Sequence, residues 1–313
     1  MQYEKATRTE VDAWCRRLVG VPVDEVLFDA GYASHVFGLR LNDGREVVAK
    51  VRSYAPRLVG AAHVHRHLWG AGFPCPEPTA GPVAINTYWV SLEGLIRGGA
   101  PLIGDDRAPA LYMAALAELI RLTPSVDGLP TLVPPPSWAY WNHAEAGRWP
   151  RRDRVDEDLN QESDPVWLTG IATRVRSRLA SFDSPSVVGH ADWWSENLRW
   201  VGHNLHAVFD WDSITAQPEA ILVGEAAYMF AKTTFELDGC APGASIEATD
   251  QFLVAYEQAA GRQWTEEERQ VAWAAGLWVA AFDARLSRFE DRGEGFAELV
   301  RRDAPERLRR AAA

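Results

Sequence analysis

Cysteine is scarce in this chain. Cys15, Cys75 and Cys240 are odd in number, far apart and outside any Cys-x-x-Cys spacing, which argues against a disulfide framework or a zinc site and for a reducing cytoplasm. Long apolar runs are missing as well: the longest, about 271–282, falls well short of the roughly 20 residues that span a bilayer. The first residues carry Glu4, Lys5, Arg8 and Glu10 where a targeting segment needs an apolar core, so neither an export signal nor a membrane anchor is expected. Basic charge is in deficit. The 32 Lys and Arg stand against 43 Asp and Glu, a net charge of −11, which disfavours nucleic acid or an anionic membrane surface as a partner. What is present, 313 residues of which 47% are hydrophobic and 24% charged, is enough to build two packed lobes.

The order of local patterns is β first, helix later. Thr7-x-x-Glu10 is a capping-box pattern, and Val11, Trp14, Cys15 and Leu18 mark one helical face until Gly20 ends it. Short β-rich runs follow at 25–28, 36–41 and 47–51, separated by the loop 29–35 and by the turn Asn42-Asp43-Gly44. A helix is expected over 56–69, stopped by Gly70, Gly72 and the prolines 74, 76 and 78, and two further strands over 83–86 and 88–92. Helical spacing then dominates at 111–120, 167–179, 224–235, 246–260 and 266–289, with Gly261 placed as a C-terminal cap. The expectation is an α+β, two-lobed chain: a small antiparallel β lobe over 1–93 and a larger, mainly helical lobe over 94–313.

One stretch concentrates polar groups between strand-like runs. It reads His190-Ala191-Asp192-Trp193-Trp194-Ser195-Glu196-Asn197, then, after a hairpin turned by Gly202-His203-Asn204, Phe209-Asp210-Trp211-Asp212. A tight hairpin brings Asp192, Asn197 and Asp210 to one point, where two carboxylates and an amide oxygen suit a hard cation and a nearby hydroxyl proton. The pattern resembles the catalytic and metal-binding segments of the aminoglycoside phosphotransferase family, relatives of the protein kinases.

That resemblance implies a protein-kinase-like fold and a phosphotransferase that takes ATP or GTP with Mg2+ and acts on a hydroxyl of a small molecule, an aminoglycoside, amino sugar or similar cationic or sugar-like acceptor. It implies Asp192 as the catalytic carboxylate, His190 as the brace of its loop, and Asn197 and Asp210 as metal ligands. Lys50, closing Val47-Val48-Ala49-Lys50, stands where a third-strand lysine pairs the α- and β-phosphates. Gly31 and Ser34, between the first two strands, are candidate phosphate contacts although Gly-x-Gly-x-x-Gly is absent. The connector Leu92-Glu93-Gly94-Leu95 resembles the segment whose backbone meets the purine, with Glu93 and Leu95 as the contacts.

The family's lysine is paired with a helix glutamate, yet residues 51–76 hold no acid at all. Either a histidine or water takes that place, or Lys50 is held by Asp210 and the phosphates alone, and a weak or inactive kinase-like nucleotide-binding protein is the alternative reading. His63, His65 and His67 read as an exposed helix face. Trp138, Tyr140, Trp141 and Trp149, with Asp156, Glu157, Asp158, Glu162 and Asp164 after them, could face a sugar-like acceptor or simply pack and solvate. Asp212, Glu219 and Asp283 are further acceptor candidates. Acceptor identity, biological role and the choice between monomer and homodimer are open at this level.

Overall fold

The computed structural model describes residues 6–31, 34–86, 88–152, 158–161, 164–230, 243–291 and 295–313. Helix α1, Arg8–Val19, begins as its sequence requires. The Thr7 hydroxyl accepts from the Glu10 N–H while the Glu10 carboxylate accepts from the Thr7 N–H at 2.7 Å, and Gly20 closes the helix at φ 75°. Strands β1 (Val23–Ala30), β2 (His35–Leu41) and β3 (Glu46–Arg52) form a meander. Helix α2, Arg57–Gly70, follows, and then β4 (Pro78–Ile85) and β5 (Tyr88–Gly94). The five strands make one antiparallel sheet in the order β1-β2-β3-β5-β4. β3 is therefore central, with Lys50 registered against Ser91 of β5.

The larger lobe holds α3 (Ala108–Leu122), α4 (Val166–Ala180), α5 (Glu219–Met229), α6 (Ile246–Ala260), α7 (Glu266–Phe289) and α8 (Gly295–Ala311). Two small two-stranded sheets lie inside it: β6 (Ser186–His190) with β9 (Ile214–Pro218), and β7 (Leu198–Val201) with β8 (Asn204–Val208). The cap read from sequence at Gly261 is left-handed at φ 66°, and Thr265 and Glu268 form a second capping box. Gly224 of α5 lies so close to α7 that a Cβ there would stand 2.1 Å from the Ala272 carbonyl oxygen. That proximity makes glycine the residue the crossing needs.

Three expectations are corrected. The helix expected over 224–235 starts earlier, at Glu219, because Pro218 ends β9 and sets the first helical turn; residues 231–235 lie outside the described residues. Helix α8, which carries Pro305 inside it, lies where no helix was expected. The histidines of α2 are not one exposed face. His63 and His67 are exposed, but His65 is buried, stacked on Trp211 at 4.7 Å and hydrogen-bonded to the Pro76 carbonyl at 2.8 Å.

Two hydrophobic cores result. One joins α1 to the large sheet through Trp14, Cys15, Leu39, Val47, Val90 and Leu92. The other fills the helical lobe and also takes in Ala61, Val64 and Leu68 of α2. Helix α2 is thus anchored in the larger lobe's core, although it precedes two strands of the sheet. Among the described residues no helix is long and apolar enough to cross a membrane.

Candidate active site

The pairing of β6 with β9, from Ser186 opposite Pro218 to His190 opposite Ile214, holds the two ends of the polar stretch together. Between them β7 and β8 form the expected hairpin, Leu198 opposite Val208, turned with Gly202 at φ 58°. The Phe209 N–H donates to the Asn197 carbonyl at 2.9 Å, so Asn197 and Asp210 are held side by side.

His190 braces this loop through both ring nitrogens. Its Nε2–H donates to the Phe209 carbonyl at 2.9 Å and its Nδ1 accepts the Asp192 N–H at 3.2 Å, an assignment that requires the neutral ring. Burial agrees, pushing the imidazole down to about 4. The Asn197 amide nitrogen donates to Asp192 Oδ2 at 2.8 Å and to the Asp192 carbonyl at 2.9 Å. This leaves the amide oxygen as the Asn197 atom able to face a cation. Ala191, where glycine would be unrestricted, keeps a negative φ, and its carbonyl accepts from the Trp138 indole at 3.0 Å.

A pH dependence follows from the buried histidines. His190 and His65, the latter pushed by burial to about 3, have folded values below the ordinary 6.5, so the unfolded chain takes up protons first on acidification. Their contribution to stability is complete above pH 6.5 and is lost as pH falls through 6.5 toward those folded values. For His190 it is on the order of 3 kcal/mol. Thermal melts should show Tm falling from pH 7 to 4, with a flatter fall in His190→Asn; an unchanged slope in that variant would remove His190 from the account.

Asp210 stands in the left-handed region at φ 64°, ψ 48°, which aspartate tolerates better than most residues. The next residue fixes its direction. Trp211 is buried, stacked on His65, edge-on to His190 at 5.8 Å, and donates its indole N–H to the Val208 carbonyl at 2.8 Å. Two-fifths of the Asp210 side chain is open, yet its depth between the lobes and then the like charge of Asp212 push its carboxyl well above the usual carboxylate range. For Asp212 burial opposes the charge, but Arg52 foremost and then Lys50 outweigh it and hold the carboxyl low. Arg52 makes an ion pair with Asp212, whose carbonyl also accepts from Arg57 Nε at 3.3 Å.

Lys50 crosses from β3 to this cluster. Its Nζ lies 3.7 Å from Asp210 Oδ1 and 3.2 Å from Glu93 Oε1, with Lys50 and Glu93 both buried. Burial works against the ammonium, and Glu93 foremost, with Asp210 next, raises it above its ordinary value. The expectation of a histidine, water or Asp210 alone in the acid's place is therefore corrected: a strand carboxylate occupies it. Sequence reading had placed Glu93 only as a backbone contact. At Leu95 the backbone N–H donates to the Glu46 carbonyl at 3.0 Å, and the Gly94 N–H to the Glu77 carbonyl at 2.8 Å.

Gly31 takes φ 134°, and a Cβ there would stand 1.9 Å from the Ser34 carbonyl oxygen. Asp29 and His35 close the base of this loop, 2.6 Å apart. Tyr32 and Ala33 lie outside the described residues. Gly31→Ala should weaken nucleotide affinity about tenfold with little change in turnover at saturation, by titration with a non-hydrolysable nucleotide. Unchanged affinity would remove this loop from the phosphate site.

Several acceptor candidates prove to be structural. Trp149 is buried 5.5 Å from Trp278, with its indole on Asp164 at 2.7 Å, and Asp164 is paired with Arg285 at 3.0 Å. Glu219 accepts from Tyr256 at 2.7 Å and from Arg262 at 3.1 Å, and Asp283 is buried in α7. Trp141 donates to Gln217 at 2.9 Å. Asp156, Glu157 and Glu162 lie outside the described residues. Missed from sequence were Arg52 and the anchoring of Trp138. The alternation Val48, Lys50, Arg52 on one strand face was the available signal for the first.

Comparisons with known proteins bear on the fold and the family. No curated protein matches the sequence. Among solved structures, the chain resembles the amicoumacin kinase hAmiN in complex with AMP-PNP, Ca2+ and Ami at TM-score 0.67 and 12% identity, over 96% of this chain and 94% of that one. It resembles aminoglycoside phosphotransferase APH(4)-Ia at TM-score 0.59 and 16% identity, covering 98% and 100%. Spectinomycin phosphotransferase APH(9)-Ia, in complex with ADP and spectinomycin, aligns at 0.56 and 10%, covering 97% of each chain. The two-lobed protein-kinase-like fold is thereby shown. The family model described as phosphotransferase enzyme family matches residues 25–221. With that match running from Glu25 in β1 through the rest of the sheet, the connector and the whole His190–Asp212 hairpin, the chain belongs to the phosphotransferase enzyme family.

Proposed function

We propose that this phosphotransferase moves the γ-phosphoryl group of ATP or GTP to a hydroxyl of a small cationic or sugar-like molecule, of the aminoglycoside or amino-sugar kind, in the cytoplasm. The observation that carries the reading is the convergence of Lys50, across the two lobes, on Asp210 at 3.7 Å, beside the contact of Asn197 with Asp192 at 2.8 Å. Residues 1–93 serve as the nucleotide lobe and 94–313 as the catalytic and acceptor lobe.

The donor set fits a hard divalent cation: an amide oxygen, and a carboxylate whose charge has only a lysine close by and a second carboxylate pressing on it. Asn197 and Asp210 would hold Mg2+, which neutralises charge on the nucleotide phosphates when bound. Lys50 binds the phosphates from the β-lobe side, and Gly31 and Ser34 offer them backbone and hydroxyl donors. Asp192 accepts the acceptor hydroxyl's proton as that oxygen attacks the γ-phosphorus; the bond from the γ-phosphorus to the β–γ bridging oxygen breaks and the nucleoside diphosphate leaves. His190 stays neutral and keeps the Asp192 backbone in place. Binding without turnover was suggested by the missing helix acid, and Glu93 beside Lys50 removes that motive.

Incubation with Mg2+, ATP or GTP, and a panel of aminoglycosides, amino sugars and choline-like alcohols should give nucleotide consumption that depends on one acceptor class. No consumption with any acceptor, together with no Mg2+-dependent nucleotide binding, would refute the reading.

A further inference from the structure

Helix α2, which shares a cavity wall with Lys50, carries no acid: it reads Arg-Leu-Val-Gly-Ala-Ala-His-Val-His-Arg-His-Leu-Trp-Gly. Leu58, Ala61, Ala62 and His65 from this helix wall one cavity together with Lys50, Glu93 and Asp212. None of the four supplies a counter-charge, and His65 is engaged with Trp211 and the Pro76 carbonyl. The helix is also committed elsewhere, since Ala61, Val64 and Leu68 pack into the core of the larger lobe.

Glu93 reaches Lys50 from a different direction. Ser91 is registered against Lys50 and Glu93 against Val48 across the β3–β5 ladder, so Lys50 and Glu93 are diagonal neighbours on one face of adjacent hydrogen-bonded strands. Their side chains are 10% and 9% exposed and their charged atoms 3.2 Å apart. A buried pair of this kind is costly to break, because the partner left behind is an uncompensated charge. Glu93 also lies at the end of the sheet where the chain leaves for the larger lobe.

We propose that Glu93 is the positioning residue for Lys50, a strand-borne carboxylate in the part that a helix glutamate takes in protein kinases. The inference rests on the phosphotransferase reading above. It has a mechanical corollary: in a helix-borne pair, displacement of the helix breaks the contact, whereas here both partners ride on one sheet. Lys50 stays aimed at Asp210 wherever α2 lies, and helix movement is not an on–off control for this enzyme.

The test compares Mg2+-dependent binding of AMP-PNP and GMP-PNP with that of adenosine and guanosine, which lack the phosphates Lys50 would hold. Wild type binds one triphosphate analogue and its nucleoside. Glu93→Gln should lose about tenfold or more in affinity for the analogue while nucleoside affinity stays within twofold or so, and Glu93→Asp should fall between. In a double-mutant cycle, Lys50→Met should add little to Glu93→Gln, because the two act as a unit. Unchanged analogue affinity in Glu93→Gln, an equal loss for the nucleoside, or independent losses in the cycle would overturn the proposal. If Glu93→Gln does not fold, Glu93→Asp decides by the same comparison. Failure of wild type to bind any of the four compounds would instead overturn the phosphotransferase reading.

Discussion

Asp192→Ala should lower acceptor-dependent nucleotide consumption by about a thousandfold while leaving Mg2+-nucleotide binding close to wild type. The separation follows from how the loop is held. Truncation removes the acceptor of one Asn197 hydrogen bond, but the second, to the Asp192 backbone carbonyl at 2.9 Å, survives. The bonds from His190 to the Phe209 carbonyl and from the Asp192 N–H to His190 are also untouched. What is lost is the carboxylate proposed to take the hydroxyl proton. Asp192→Asn should be nearly as inactive, since an amide keeps the shape but cannot serve as the base at neutral pH. The assay is steady-state turnover at saturating nucleotide, with binding by calorimetry. Turnover equal to wild type in either variant would mean that the proton goes elsewhere.

Asp210→Asn should act in two opposite directions. Turnover should fall by about a thousandfold or more, because a carboxylate that would hold a divalent cation, and with it neutralise phosphate charge, is worth several kcal/mol. Mg2+-dependent nucleotide binding should fall with it. The metal-free protein, however, should become more stable at neutral pH. Depth in the cleft and the Asp212 charge raise the Asp210 carboxyl above its ordinary value, so the folded chain holds that proton more tightly than the unfolded chain. The sign is then fixed: stability contributed at this position declines as pH rises from the ordinary 3.8 through the raised folded value, and at neutral pH the charge is a net cost. An amide removes that cost, as is common where a site is arranged for a ligand it must bind. Melting curves without metal from pH 5 to 8 check this. A lower Tm for Asp210→Asn at pH 7, or unchanged Mg2+-dependent binding, would contradict the assignment.

Arg52 and Asp212 qualify how the cluster is read. From sequence, Asp212 was an acceptor contact; in the fold its carboxylate pairs with Arg52 and its carbonyl with Arg57 Nε, so it links the lobes. The two acids of Phe209-Asp210-Trp211-Asp212 therefore have different tasks. Asp210 stands on a left-handed backbone as the proposed cation ligand, and Asp212 is neutralised by arginine.

Much of this molecule is legible in its sequence because the information is local. Thr7 with Glu10 and Gly261 are end signals read within one turn of helix, and the structure has both helix ends at their place. The hairpin that gathers Asp192, Asn197 and Asp210 was readable because period-two runs flank a Gly-His-Asn turn, and turn length sets register. Lys50 was readable for the same reason, as the end of a short β-branched run.

The tertiary structure decided the partners. Nothing local tells that Glu93 turns its side chain to Lys50, that Arg57 meets a carbonyl 155 residues away, or that His65 leaves an exposed-looking helix to stack on Trp211. Trp149, Asp164 and Glu219, plausible as an acceptor wall by composition, prove to be engaged in packing and ion pairs. Helix α8 formed despite Pro305, where packing of Ala297, Val300, Ala304 and Leu308 against the lobe outweighs a local penalty. The sequence by itself determined the strands, the capped helices and the hairpin, since those depend on periodicity and turn chemistry over a few residues, but not helix α8 or the start of α5. Which charges neutralise one another depended on how two lobes and three sheets pack, because buried ions must find partners wherever the fold brings them.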